Sequence, residues 1–183
     1  MNLFSAVERR LGRNLSAVCA MAASLAMGNV LAGDTACDAF ALAGFSVGTP
    51  VSVAKERFPA AQLDSQAGGT QIMTVPVKDA LAGADLGTGK LRVVFDPEGT
   101  AKEVWFLADT DRTEEELLNV VKKVWGDSVD IHRYNFVSKE GKREDVMNAA
   151  WKTTCPVKPK LNVDVEEKSA RKSVAVGLVR VKK

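Results

Sequence analysis

Beyond residue 38 the apolar positions of the chain follow two periods in turn. Residues 39–45 are almost wholly apolar and run into Gly44 and Gly48, the pattern of a short strand. Thr49-Pro50 then predicts a helix start, with Thr as N-cap and Pro at the first helical position. Pro59 stops that helix after about Phe58. Met73, Val75 and Val77 alternate with polar residues or proline, as along a half-buried strand. A Gly-rich loop follows over residues 81–90. Residues 91–95 and 104–107 read as strands joined by Asp96-Pro97-Glu98-Gly99, where Pro fixes φ and Gly frees it for a tight turn.

Residues 113–125 carry the helical period. Thr113 and Glu116 form a capping box, Glu114, Glu115 and Glu116 sit at the positive end of the dipole, and Lys122 and Lys123 near the negative end. Leu117, Val121, Val124 and Trp125 make one apolar face, and Gly126 ends the helix. Further strands are predicted at about 131–138, 145–153, 161–166 and 174–181, the last two around a polar turn at 168–172. Hairpins dominate this order, with no helix crossing between parallel strands. The expected fold is α+β: an antiparallel β-sheet with two main helices packed on one face.

The N-terminus follows another logic. Arg9, Arg10 and Arg13 precede an apolar run from Leu15 to about Gly28, and Val30-Leu31-Ala32 supplies a small-residue exit. Charge, apolar stretch and small residues are the parts of a secretory signal, so residues 1–32 are expected to be a cleavable leader and 33–183 a single α+β domain. The apolar run falls short of the ~20 residues of a membrane span. A mitochondrial presequence would be amphipathic rather than continuously apolar, and the surroundings of Arg9-Arg10 fit a twin-arginine signal poorly. Neither Cys19 nor Cys37 follows a lipobox, so no lipid anchor is expected.

Charge then narrows the partners. The full chain has 25 basic and 23 acidic residues, and without residues 1–32 it has 22 of each. No global field would hold such a domain to nucleic acid. Residues 33–119 carry 7 basic against 14 acidic groups, and 120–183 carry 15 against 8. Two solvated surfaces of opposite sign account for this, and a basic face for an acidic partner is the sharper reading. Lys168, Arg171, Lys172 and Arg180, with Lys182 and Lys183, form a basic C-terminal edge. They are the candidate partner-binding residues; the plainer account is a charged edge strand that resists aggregation. Cys37 and Cys155 remain after leader removal, and in an oxidising compartment a pair of thiols is expected to join. No C-x-x-C spacing supports redox chemistry.

Gly44-Phe45-Ser46-Val47-Gly48-Thr49-Pro50, followed by Val53 and Phe58-Pro59, resembles the opening of β-lactamase-inhibitor-protein-like (SmpA/OmlA-type) envelope domains. The later hairpin, the helix ending in Trp125-Gly126 and the strand carrying Trp151 are similar to single-domain periplasmic relatives. The resemblance implies a role in binding proteins or supporting envelope assembly, and brings no shared catalytic residues.

Three motifs point to other chemistry. Gly44 to Gly48 reads G-x-S-x-G, the form of a nucleophile elbow, with His132 as the sole histidine for a triad on Ser46. Few residues of the domain precede it to supply an oxyanion loop, and a Gly-flanked turn into a helix is the plainer reading. Residues 83–90 approach a phosphate loop, but Leu91 replaces Ser or Thr and a strand follows where a helix N-terminus is needed. Asp109, Asp111 and Glu114 lack the Gly and late Glu of a calcium loop. Trp105, Trp125 and Trp151 are expected in or against the core, whereas two exposed together would mark a protein or glycan contact. The sequence thus predicts a periplasmic or secreted binding module with one disulfide. Catalysis, cofactor, metal and, once the leader is removed, a transmembrane segment are not expected. Its partner would be another envelope protein, with an anionic envelope surface or a Ser46 hydrolase as alternatives.

Overall fold

The computed structural model describes residues 37, 39–137, 141, 143–166 and 172–181, all within one unit, Asp34–Lys183. The predicted leader, Lys168, Arg171, Lys182 and Lys183 lie outside the described residues. Eight strands form one antiparallel sheet: β1 (Leu63–Ser65), β2 (Gln71–Lys78), β3 (Thr88–Phe95), β4 (Ala101–Thr110), β5 (Val129–Val137), β6 (Arg143–Trp151), β7 (Val157–Glu166) and β8 (Lys172–Arg180). Their spatial order is β1-β2-β3-β4-β8-β7-β6-β5. Two four-stranded meanders therefore meet where β8 pairs with β4. Helix α1 (Val51–Arg57) precedes the first meander, and α2 (Glu114–Trp125) links the two.

This architecture is mainly β, and it overturns the expected α+β fold with two main helices. The described residues hold only two short helices, and α1 buries a single residue, Ala54. Much of the covering is done by irregular chain. Residues 39–45 form a tight turn instead of a strand: Ala43 and Gly44 have positive φ, and Leu42 and Phe45 bridge each other while both are fully buried. Arg57 donates to the Ala43 carbonyl, and Gly44 beside it sits at φ 75°, the left-handed conformation that favours glycine. Ala80, just before the Gly-rich loop, and Leu81 and Leu86 within it enter the same core. Pro50, not Thr49, occupies the N-cap of α1, because the Thr49 hydroxyl instead accepts from the Ser46 N–H.

The expectation that no helix crosses between parallel strands also fails. Neighbours in the sheet alternate in direction, so β4 and β5, four places apart, run the same way, and α2 carries the chain from one to the other. That helix otherwise matches its sequence. Thr113 and Glu116 cap it reciprocally, Gly126 ends it at φ 84°, and Leu117, Leu118, Val121 and Trp125 are buried over β6 and β7. The Asp96–Gly99 turn is likewise present, with the Gly99 N–H bonded to the Asp96 carbonyl.

One face of the sheet is the core wall. Val75, Leu91, Phe106, Val176, Leu161 and Ala149 are successive register partners across six strands, and all are buried. Trp151 lies edge-on to Trp125, which meets Phe40 of the N-terminal segment. The Trp151 indole takes the Gly126 carbonyl, leaving the Trp125 indole N–H as a buried donor without an acceptor among the described residues.

Two ties close the structure. Cys37 and Cys155 are disulfide-bonded with Cα atoms 5.6 Å apart, joining the N-terminal segment to the β6–β7 connection. Arg180 of β8 pairs with Asp96 at 2.7 Å and also donates to the Ala101 carbonyl. Burial alone would raise the Asp96 carboxyl, but the Thr100 N–H and the Arg180 guanidinium outweigh it and hold it below the usual range. No helix among the described residues is long and apolar enough to cross a membrane.

Replacing both Cys37 and Cys155 by Ser should lower stability by about 2–5 kcal/mol, read from denaturant midpoints against the oxidised protein. Asp96→Asn should cost about 1–3 kcal/mol at neutral pH. A depressed carboxylate stabilises fully above its unfolded value of 3.8 and loses that contribution as pH falls through the lower folded value. The gap between variant and parent should therefore close only in acid below that value.

Candidate binding surface

Among the described residues, the other face of the sheet takes no part in the core. Along β4, Val104 and Phe106 point into the core, so Trp105 and Leu107 point out, the first half-buried and the second exposed. Arg92, Trp105, Gly177, Lys160, Ala150 and Asp130 follow one another in register across this face. In the next row stand Lys90, Leu107, Ala175, Asn162, Asn148 and His132.

Trp105 lies flat on Gly177. A Cβ at Gly177 would sit 2.1 Å from ring carbon Cε3 and 2.2 Å from Cζ3, so any side chain there would lift the indole off the sheet. The indole N–H donates to Glu103 Oε2 at 3.0 Å, which fixes the ring in its plane. Gly177 is thus an aromatic seat in the middle of an otherwise apolar strand.

Two shallow depressions flank the small residues Ala175 and Ala150. One, of about 500 Å3, is lined by His132, Tyr134, Asn148, Lys160, Asn162 and Asp164. The other, of about 610 Å3, involves Lys90, Leu107, Asp109, Asp164 and Ser173. Partial burial, and then the Glu144 charge, push the Asp164 carboxyl above its usual range. Asn148 donates to the exposed Tyr134 hydroxyl at 3.0 Å.

Arg180 is committed to Asp96 and Ala101, and Lys172 reaches the Asp111 carbonyl at 3.4 Å. Both stand on β8, an interior strand between β4 and β7, so the basic C-terminal edge is not a sheet edge. The near-continuous apolar run of Val174, Val176 and Leu178 with Ala175 and Val179 is the mark of an interior strand. Lys168 and Arg171 lie outside the described residues. Ser46 sits in the turn before α1, its hydroxyl 3.4 Å from that of Thr49, and Gly48 bonds this turn to Ala101 of β4. His132 is on β5, beyond β8, β7 and β6, so about 19 Å of strand spacing separates it from β4. The two are not brought together.

The phosphate-loop-like residues 83–90 lead into β3, and Asp85 there pairs with Arg112 at 2.7 Å. Glu114 pairs with Arg133 at 3.0 Å, and among the described residues no group of three or more His, Cys, Asp or Glu could hold a metal ion. Trp125 and Trp151 are buried, and only Trp105 reaches the open face. Sequence reasoning missed that distinction, although the alternation Val104-Trp105-Phe106-Leu107 and the lone Gly177 within its strand both signal it.

No family model, curated protein or solved structure matches the chain. The resemblance to β-lactamase-inhibitor-protein-like domains rests on its motifs alone.

Seating of the indole on Gly177 has a direct consequence. Gly177→Leu should displace Trp105, cost about 1–3 kcal/mol and shift tryptophan emission to the red. Unchanged emission with unchanged stability would show that the ring does not rest there.

Proposed function

We propose that this chain is an exported, non-catalytic binding module that engages another envelope protein through the open face of its sheet. Export is supported by the charge, apolar run and small-residue exit of residues 1–32, together with a disulfide that requires an oxidising compartment to persist. The observation that carries the binding role is the seated Trp105, half-exposed on a broad polar face and held by Gly177 beneath and Glu103 beside it. Aromatic groups fixed in advance contribute contact area at low entropic cost, and such residues dominate binding energy at protein interfaces. Absence of a catalytic role is supported by the separation of Ser46 from His132. Membership of the β-lactamase-inhibitor-protein-like group would be in keeping with this role.

A photoreactive residue placed at Leu107 or Ala175, in cells that make the protein, tests the reading. Discrete adducts with a second protein are expected from both positions and none from Lys123, on the exposed side of α2. Adducts from Lys123 alone, or from none of the three, would remove the open face as the binding surface.

A further inference from the structure

We infer that the open face takes an extended acidic segment of its partner, laid along β4 and β8 between two files of cations. The inference rests on the reading of this face as a protein-binding surface. One file is Lys90 and Arg92 on β3, and the other is Lys158 and Lys160 on β7. Between them lie Trp105 and Leu107 of β4 and Ala175 and Gly177 of β8, a floor that is aromatic and aliphatic on one strand and nearly flat on the other.

Register fixes the arrangement. Arg92 and Lys160 flank Trp105 and Gly177 on either side in one row. Lys90 continues its file in the direction of Leu107, and Lys158 continues the opposite file in the direction of Glu103 and Val179. Three strand spacings separate the files, about 14 Å, wide enough for an extended backbone with side chains reaching outward to each.

Charge identifies the occupant. None of the four cations forms an ion pair among the described residues. Over the three rows that hold them, the four cations face one carboxylate, Glu103, which accepts from the Trp105 indole N–H; Asp109 and Asp164 stand in the next row, beyond Leu107 and Asn162. The platform therefore presents an excess of positive charge around an apolar floor, and a complementary partner carries carboxylates beside an apolar or aromatic residue. Spacing selects a polypeptide. Within each file the cations are two residues apart on a strand, about 6.6–6.8 Å, and an extended segment repeats its same-side carboxylates at that interval. An acidic glycan or a lipid headgroup plane has no reason to share that repeat.

Titration of the oxidised full chain with a short extended peptide of consecutive Glu residues around a central Leu tests this, with its Gln–Leu counterpart, polygalacturonate and phosphatidylglycerol vesicles as the other probes. The Glu–Leu peptide should bind, weaken with added salt and quench Trp105, while the Gln–Leu peptide should not bind. Combined Lys90→Gln, Arg92→Gln, Lys158→Gln and Lys160→Gln should weaken binding at least about tenfold with the thermal midpoint little changed, and Trp105→Phe, which keeps a ring on Gly177, should weaken it through the floor. Lys172→Gln should leave binding intact. Equal affinity in the charge variant, equal binding of the Gln–Leu peptide, or binding confined to polygalacturonate or vesicles would overturn the acidic-segment inference. If Leu107 or Ala175 still crosslinks a partner while the acidic peptide fails, this inference falls and the binding face stands. If no face-dependent partner exists, the broader reading falls instead.

Discussion

Everything in this molecule depends on the pairing of β4 with β8. Each meander closes on itself through hairpins between strands adjacent in sequence, but the two become one sheet only when residues such as Glu103 and Val179 meet. Three further contacts cross or brace this seam. Trp105 of β4 lies on Gly177 of β8 on the open side, and Arg180 of β8 holds Asp96 and the Ala101 carbonyl at one end. On the covered side Val104 and Phe106 meet Leu178 and Val176 in the core. The disulfide then fastens the N-terminal cover to the second meander. Such a join is entropically costly, because its partners are far apart in sequence, and its apolar and charge-assisted contacts offset that cost.

The same seam makes the surface. Lys90 and Arg92 belong to the first meander, Lys158 and Lys160 to the second, and neither pair makes a platform without the other. The aromatic floor exists because β8 presents glycine where β4 presents tryptophan. Binding capacity and global folding are therefore coupled. A ligand that spans both files holds the two meanders together and stabilises the native sheet by mass action.

Local features of the fold were legible in the sequence where the signal is local. The capping box at Thr113 and Glu116, the Gly126 stop, the Asp96–Gly99 turn and the alternation of the later strands each specify their own structure within a few residues. The pairing of Cys37 with Cys155 followed from compartment logic and is present. What local pattern does not carry is which strand lies beside which. The C-terminal strand reads as an edge because it comes last and ends in lysines, yet it pairs with β4 on one side and β7 on the other. Residues 39–45 look like a strand because they are apolar, but positive φ at Ala43 and Gly44 turns them into a plug on the core. For the same reason the fold class was misjudged: loops and turns perform covering that periodicity assigns to helices. The candidate surface was invisible until register brought Arg92, Trp105, Gly177 and Lys160 into one row.

Native-state amide hydrogen exchange tests the primacy of the seam most directly. If β4 and β8 hold the sheet together, the paired amides of Ala101–Thr110 and Lys172–Arg180 should be among the slowest to exchange. They should open with the core of both meanders in one global event. Persistent protection of β5–β7 while β4 and β8 exchange through a separate, lower-energy opening would contradict the account.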